Sequence, residues 1–291
     1  MPIITKRGEN SGRKLKGKQR YKKLYHYTSF DSFVKIWLNK NLRFSKTEKV
    51  NDLFEVKREY SATYVQQMPL MIALKDIIDS YKQISLTMDY DTKFLGCMST
   101  LMWGHYGNKR AGVCIELDFD KLVLSKSMLF APIIYKREVK NNIRLDSSVV
   151  SMNTLRKFIK RSKRDIFFTK EKGWKGENEF RIISENDEYL DITNAITAVY
   201  LTEYDSQECL FVEKLVDGAI PVRSILFKNF GVDDKIRPIV VDTKKRRDEI
   251  KKILSSPNYF GKIFEDKARK IYEAHKDDGD YRMLMTEFDT L

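Results

Sequence analysis

Between residues 24 and 45 the apolar positions change period twice. Leu24, Tyr25 and Tyr27 suit an extended segment, where aromatics pack well on a pleated surface. Phe30, Phe33, Val34 and Trp37 then recur at three- and four-residue spacing, one apolar helical face. Thr28 or Ser29 can cap that helix by accepting from a free backbone N–H, and Asp31 in its first turn suits the helix dipole. Asn39-Lys40-Asn41 ends the helix, and Leu42-Arg43-Phe44-Ser45 reads as a second strand. The chain thus opens as strand, histidine (His26), helix, strand.

Downstream, Lys49 to Glu55 is a polar turn anchored by Phe54, and residues 60–84 carry helical spacing (Val65, Met68, Met71, Ile72, Leu74, Ile77, Ile78, Tyr81). Residues 94–100 read as an apolar strand running into a short helix at 101–107 and a turn at 108–112. Val113 to Phe119 alternates, which predicts a half-buried strand with Glu116 on its solvated side. Residues 120–135 read as helix, turn, strand. Residues 150–166 form a helix whose polar side is basic: Arg156, Lys157, Lys160, Arg161, Lys163 and Arg164. In the strand that follows, Glu177, Glu179 and Arg181 share one face, and Asn178, Phe180 and Ile182 the other. Strands at 196–201, 225–227 and 239–241 and helices at 211–216 and 244–254 complete an α+β pattern.

Composition bounds the class. At 42% hydrophobic and 12% aromatic, the 291 residues can bury a sizeable core. No apolar run approaches the roughly 18–20 residues that span a bilayer, and the N-terminus has no apolar leader segment. Cys97, Cys114 and Cys209 are scattered, without the spacing of a disulfide framework or a zinc site. We therefore expect a cytoplasmic protein with no membrane partner and no metal. There is no Gly-rich phosphate loop and no internal repeat.

Charge changes the picture more. Lys and Arg number 54 against 41 Asp and Glu, a net +13. Residues 1–23 hold nine basic residues and one acid, a flexible basic arm. Such an arm suits phosphate backbones, since each neutralised phosphate releases counterions, but equally a solubilising or partner-binding tail. The basic side of the 150–166 helix is either a solvated face or a nucleic-acid contact through Lys160, Arg161 and Lys163. The expected division is 1–23 arm, 24–243 domain and 244–291 helical extension, the last sixteen residues turning acidic.

The stretch Leu-Tyr-His-Tyr-Thr-Ser, a helix, then Leu-Arg-Phe-Ser resembles the first motif of the ADP-ribosyltransferase superfamily. It resembles still more closely a large bacterial family long labelled only as a domain of unknown function. Met-Trp-x-His-Tyr-Gly followed by Gly-Val-Cys-Ile-Glu (from Met102), and Trp-x-x-Glu-Asn-Glu-Phe-Arg (from Trp174), resemble the same family in order. Leu53 departs from it: the family carries Asn-Asp-Pro-Phe-Glu where this chain has Asn51-Asp52-Leu53-Phe54-Glu55.

The resemblance implies a split β-sheet core with flanking helices and NAD as co-substrate. It implies His26 on the adenosine ribose with Tyr27 and Thr28 lining that side, Arg43 reaching the pyrophosphate, Tyr106 stacking on nicotinamide, and Glu179 as catalyst. Glu177 or Arg181 would help position the acceptor. The implied chemistry needs no metal: nicotinamide leaves neutral, and one carboxylate holds the ribose 2′-OH and offsets developing positive charge. The charge pattern favours a nucleic-acid acceptor, RNA before DNA. Related bacterial transferases act as toxins in phage defence, so an antitoxin protein is a further expected partner. Open beside these are a structural histidine at a strand end, a nucleic-acid-binding module on a degenerate fold, and an NAD glycohydrolase or nuclease.

Overall fold

The computed structural model describes residues 21–46, 52, 58–91, 94–139, 142–229 and 236–254. Most of the basic arm, the polar turn at 49–55 except Asp52, and the acidic C-terminal stretch lie outside these residues. The chain divides into two compact units, Met1–Val241 and Asp242–Leu291.

The first unit opens with β1 (Lys23–Thr28), α1 (Phe30–Asn39), β2 (Asn41–Arg43) and β3 (Ser45–Lys46). Ser29 caps α1 by accepting from Ser32 N, and Lys40 ends it at a left-handed φ of 53°. Next come β4 (Glu59–Ala62), α2 (Met68–Ser80), β5 (Lys82–Met88), α3 (Thr100–His105) and β6 (Val113–Asp118). The chain continues through β7 (Leu129–Pro132), β8 (Ile134–Lys136), β9 (Asn142–Leu145), α4 (Met152–Phe167) and β10 (Thr169–Glu171). Then follow β11 (Glu179–Ser184), β12 (Tyr189–Asp191), β13 (Ile196–Leu201), α5 (Gln207–Val216), β14 (Val222–Asn229) and β15 (Ile236–Asp242). In the second unit the described helix is α6 (Thr243–Leu254), whose Lys245 N–H donates to Asp242.

A mixed sheet of nine strands forms the framework, in the order β15-β14-β13-β6-β1-β5-β11-β7 with β3 also on β5. Alternation along the strands gives it two differently used faces. Leu24, Ile84, Leu86, Ile115, Phe180, Ile182 and Val199 point into one continuous core that also takes Phe33 of α1 and Val212 of α5. The opposite face is divided. Tyr25, Tyr27, Cys114 and Tyr200 pack there with Trp103, while Ile183 joins a separate core with Leu74 of α2 and Leu155, Phe158 and Phe167 of α4. Between these two clusters lies a polar strip from β5 and β11: Gln83, Ser85, Thr87, Glu179 and Arg181.

Several expectations are corrected. Residues 60–84 are helical only from Val65, as a 3-10 turn (Val65–Gln67) leading into the α-helix Met68–Ser80. Pro69 sets the start of α2, and the alternation Gln83-Ile84-Ser85-Leu86-Thr87 makes the end a central strand instead. Residues 94–100 form no strand. Gly96 sits so close under Tyr25 that a Cβ would lie 2.3 Å from the ring, and the Trp103 indole N–H donates to Cys97 O, folding the segment into a 3-10 turn (Gly96–Met98) before α3. Residues 119–121 form a 3-10 turn rather than a full helix. β6 is buried on both faces, and Glu116 is 2% exposed, accepting from Tyr200 OH (2.7 Å) and Thr197 OH (2.8 Å) and pairing with Lys23 (3.1 Å). Glu177 precedes its strand, ending a 3-10 segment (Lys172–Glu177), because Asn178 turns left-handed at φ 47° to donate to Met88 O and Asp89 O.

Candidate functional site

The sheet forks at its centre. β1 pairs with β5 only through Leu24↔Met88 and Tyr25↔Thr87. Beyond Tyr25, β1 stays on β6 through Thr28, whereas β5 stays on β11 through Lys82. The gap between them is a cavity of about 400 Å³, within the range of small-molecule sites. Tyr25, His26 and Tyr27 line one lip; the opposite lip is β5 from Gln83 to Thr87 together with Glu179, Glu177 and Lys170. Met102, His105 and Tyr106 of α3 and its end close one side, and Arg43 and Ser45 contribute to the rim.

Glu179 is the most constrained group in the cavity wall. Its Oε1 accepts from Ser85 Oγ (2.6 Å) and Arg181 Nε (2.7 Å), and its Oε2 from Arg181 Nη2 (3.1 Å) and Lys170 Nζ (2.9 Å). Its backbone N–H donates to Tyr135 OH at 2.9 Å. Burial pushes the carboxyl pKa up, but Arg181, Lys170 and the Ser85 hydroxyl outweigh it and bring it to about 2. Glu179 is therefore an anion at neutral pH.

Lys170 also pairs with Glu177 Oε2 at 2.7 Å, and Glu177 Oε1 accepts from Tyr106 OH at 2.5 Å. Two carboxylates and two cations are thus buried together, which is tolerable only because each charge meets an opposite one. β10 pairs in parallel with β8, setting Lys170 beside Tyr135, so both reach Glu179 from the same small sheet.

On the other lip, burial lowers the His26 pKa to about 4 against a hydrogen bond with the Ser85 backbone, so the imidazole is neutral near pH 7. Its Nδ1 is buried without a hydrogen-bond partner. Tyr27 lines the cavity with its ring while its OH donates to Gly96 O at 2.6 Å, and the ring meets Trp103 edge-on.

Of the residues singled out from the sequence, His26, Tyr27, Arg43, Tyr106, Glu177 and Glu179 line this one cavity. Thr28 is buried at the end of β1 and is not among its lining residues. Arg181, expected to help position the acceptor, is fully buried: its Nη1 donates to Phe167 O (2.8 Å) and its Nε and Nη2 to Glu179, so it holds that carboxylate from the core side. Lys160 and Arg161 are exposed on the outer side of α4, Lys163 is half-buried, and none of the three lines the cavity. Arg161 is paired with Asp146 at 2.6 Å.

Sequence reasoning missed Ser85, Tyr135 and Lys170. The polar alternation of Gln83, Ser85 and Thr87 was a usable signal, hidden by the helical spacing just before it. Nothing in the local pattern marks Lys170, which follows the apolar Phe167-Phe168 pair and looks like any surface lysine.

No curated protein matches the chain, and neither does any solved structure. Residues 102–182, less than a third of the chain, match the family described as Protein of unknown function (DUF2971). Tyr106, Lys170, Glu177, Glu179 and Arg181 fall inside that stretch, and His26 and Arg43 outside it; over these residues the chain is similar to that family.

Proposed function

We propose that this chain is an NAD-dependent ADP-ribosyltransferase that modifies nucleic acid, RNA before DNA, and works in the cytoplasm as the toxin of a bacterial anti-phage pair held in check by an antitoxin. The observation that carries this reading is the fork, with His26 on one lip and an ionised Glu179 on the other lip of the same cavity. A neutral imidazole with an unpartnered Nδ1 suits the hydroxyls of a ribose. A fixed anion across the gap suits a second ribose, whose 2′-OH it can hold while offsetting positive charge at the neighbouring carbon. Tyr106, a planar ring at the cavity side, suits a planar heterocycle. Bond cleavage with a neutral leaving group asks for no acid, in keeping with a cavity whose carboxylate stays ionised. The split sheet with helices on both faces supports the ADP-ribosyltransferase-like reading of the fold.

Arg156, Lys157, Lys160 and Arg161, exposed along α4, support a polyanionic acceptor. A second reading, NAD glycohydrolase, is favoured by one observation: Glu177 and Glu179 contact the same ammonium, so a second carboxylate stands near enough to activate water.

One experiment separates these. Purified protein is given labelled NAD with parallel pools of RNA, single-stranded DNA, duplex DNA and cell protein. Label is expected on RNA and is expected to fall by at least about a hundredfold in Glu179→Gln. Free ADP-ribose without transfer would select the glycohydrolase, and intact NAD would reject both readings.

A further inference from the structure

A second cavity, of about 380 Å³, opens where β6 begins and β13 ends. Lys109, Arg110 and Gly112 of the turn after α3 line it, with Glu203, Glu208 of the first turn of α5, and the half-buried Phe227 ring of β14. Lys109, Arg110, Glu203 and Glu208 are exposed, and none of them forms an ion pair among the described residues. Two cations and two carboxylates thus line one cavity without neutralising each other, and a ligand there meets both signs of charge. The cations sit on a fixed backbone. Asn108, Lys109 and Arg110 are successive left-handed residues, with φ of 47°, 53° and 79°. Non-glycine residues hold that conformation only where their surroundings enforce it, and such strain clusters at functional sites. Here Ala111 N–H donates to Asn108 O (3.0 Å), Gly112 N–H to Gly107 O (2.9 Å) and the Thr202 hydroxyl to Arg110 O (2.8 Å).

His105 and Tyr106 line the first cavity and Lys109 the second. From Tyr106 to Lys109 the chain spans at most about 11 Å even fully extended, so the two openings adjoin across one turn. An inorganic anion would leave the ring unused and be repelled by the carboxylates. A nucleotide engages all three groups. Its phosphate suits the cations, its base has a π-face for an aromatic ring, and an exocyclic amino group donates to a carboxylate. Resting on the reading of RNA as the acceptor, we propose that this cavity is an acceptor subsite for a nucleotide flanking the one modified. Its phosphate lies on Lys109 and Arg110 and its base on Phe227. Glu203 and Glu208 select a base with an exocyclic amino group, which uracil lacks.

The test titrates full-length protein, without NAD, with short fluorescein-labelled oligocytidine and oligouridine, read by anisotropy. K109A/R110A is expected to raise both Kd values by about fivefold or more and to flatten the salt slope by about 0.7. F227L, which keeps an apolar side chain against the core, is expected to weaken both by about fivefold or more through lost stacking. Wild type is expected to bind oligocytidine at least about threefold more tightly than oligouridine. E203Q/E208Q should bring that ratio close to one, since a glutamine amide can donate to uracil. Kd values unmoved in K109A/R110A or in F227L overturn the subsite, as does a cytidine preference unchanged in E203Q/E208Q. NAD titrated in parallel should bind K109A/R110A within about twofold of wild type; a loss as large as that for RNA would give the cavity to the dinucleotide and also overturn the subsite. Binding needs no turnover, so a wild type that binds RNA but leaves NAD intact overturns the transferase reading alone.

Discussion

His26 and Glu179 face one another across the cavity, and acid acts on both in the same direction for different reasons. The unfolded chain protonates His26 near 6.5, whereas the folded chain holds its half-buried imidazole neutral down to about 4. Between those values the unfolded state binds more protons, so stability falls as pH falls. Glu179 titrates near 4.5 unfolded and about 2 folded, which extends the loss to lower pH. From pH 7 to pH 5 the His26 share is at most about 2 kcal/mol, since the ring is partly exposed and water screens some of it. Urea unfolding at the two pH values should therefore show wild type losing up to that much more than His26→Gln. Parallel losses would mean that the imidazole is not held neutral by burial.

At the scale of elements, Gly112 marks a close approach of backbones. It lies between α3 and β6, and a Cβ there would stand 2.2 Å from Thr28 O at the end of β1, with Gly107 backbone behind it. Backbone cannot yield as a side-chain tip can, so Gly112→Ala should cost about 1–3 kcal/mol in denaturant unfolding and loosen the His26 lip with it. The α4 helix makes a separate prediction. Changing Lys157, Lys160 and Arg161 to Ala should leave the fold intact and make RNA binding less sensitive to salt. The slope of log affinity against log salt should shrink by about 0.7 for each phosphate that these side chains neutralise in the wild type. An unchanged slope would remove α4 from the acceptor surface.

Elements were legible in the sequence where one period ran without interruption. The strand–His–helix–strand opening, α4 and β13 follow from Leu24, Phe33, Phe158 and Val199 on regular spacings. Legibility failed where tertiary context overrode the local pattern. β5 followed directly on helical spacing, and the apolar run at Leu95–Met98 served a turn under Tyr25. Glu116 looked like a solvated position because the hydroxyls that satisfy it, Tyr200 and Thr197, lie more than eighty residues away. The site behaved likewise. Residues in motif text were legible, whereas Lys170 and Ser85 act only through contacts formed by folding.

For the whole molecule, a ligand that binds the folded cleft alone must stabilise the chain. NAD at about a hundred times its Kd should add about 2.7 kcal/mol, which for a domain of this size raises Tm by about 5–10 °C. A thermal melt unmoved by NAD at millimolar concentration would count against the nucleotide. Among the described residues no helix is long and apolar enough to cross a membrane.

The fork also creates an edge in the interior of a sheet. Beyond Tyr25, β1 has β6 on one side and, among the described residues, no paired strand on the other. Edges normally sit at the rim, where they invite pairing with other chains; this one is sheltered by α3 and by the opposite lip. Its amides should exchange with deuterium faster than those of β6 on one side and of the paired β5 and β11 on the other, although β1 lies near the middle of the sheet. An exchange map would then show a seam of weak protection running through the best-protected part of the molecule.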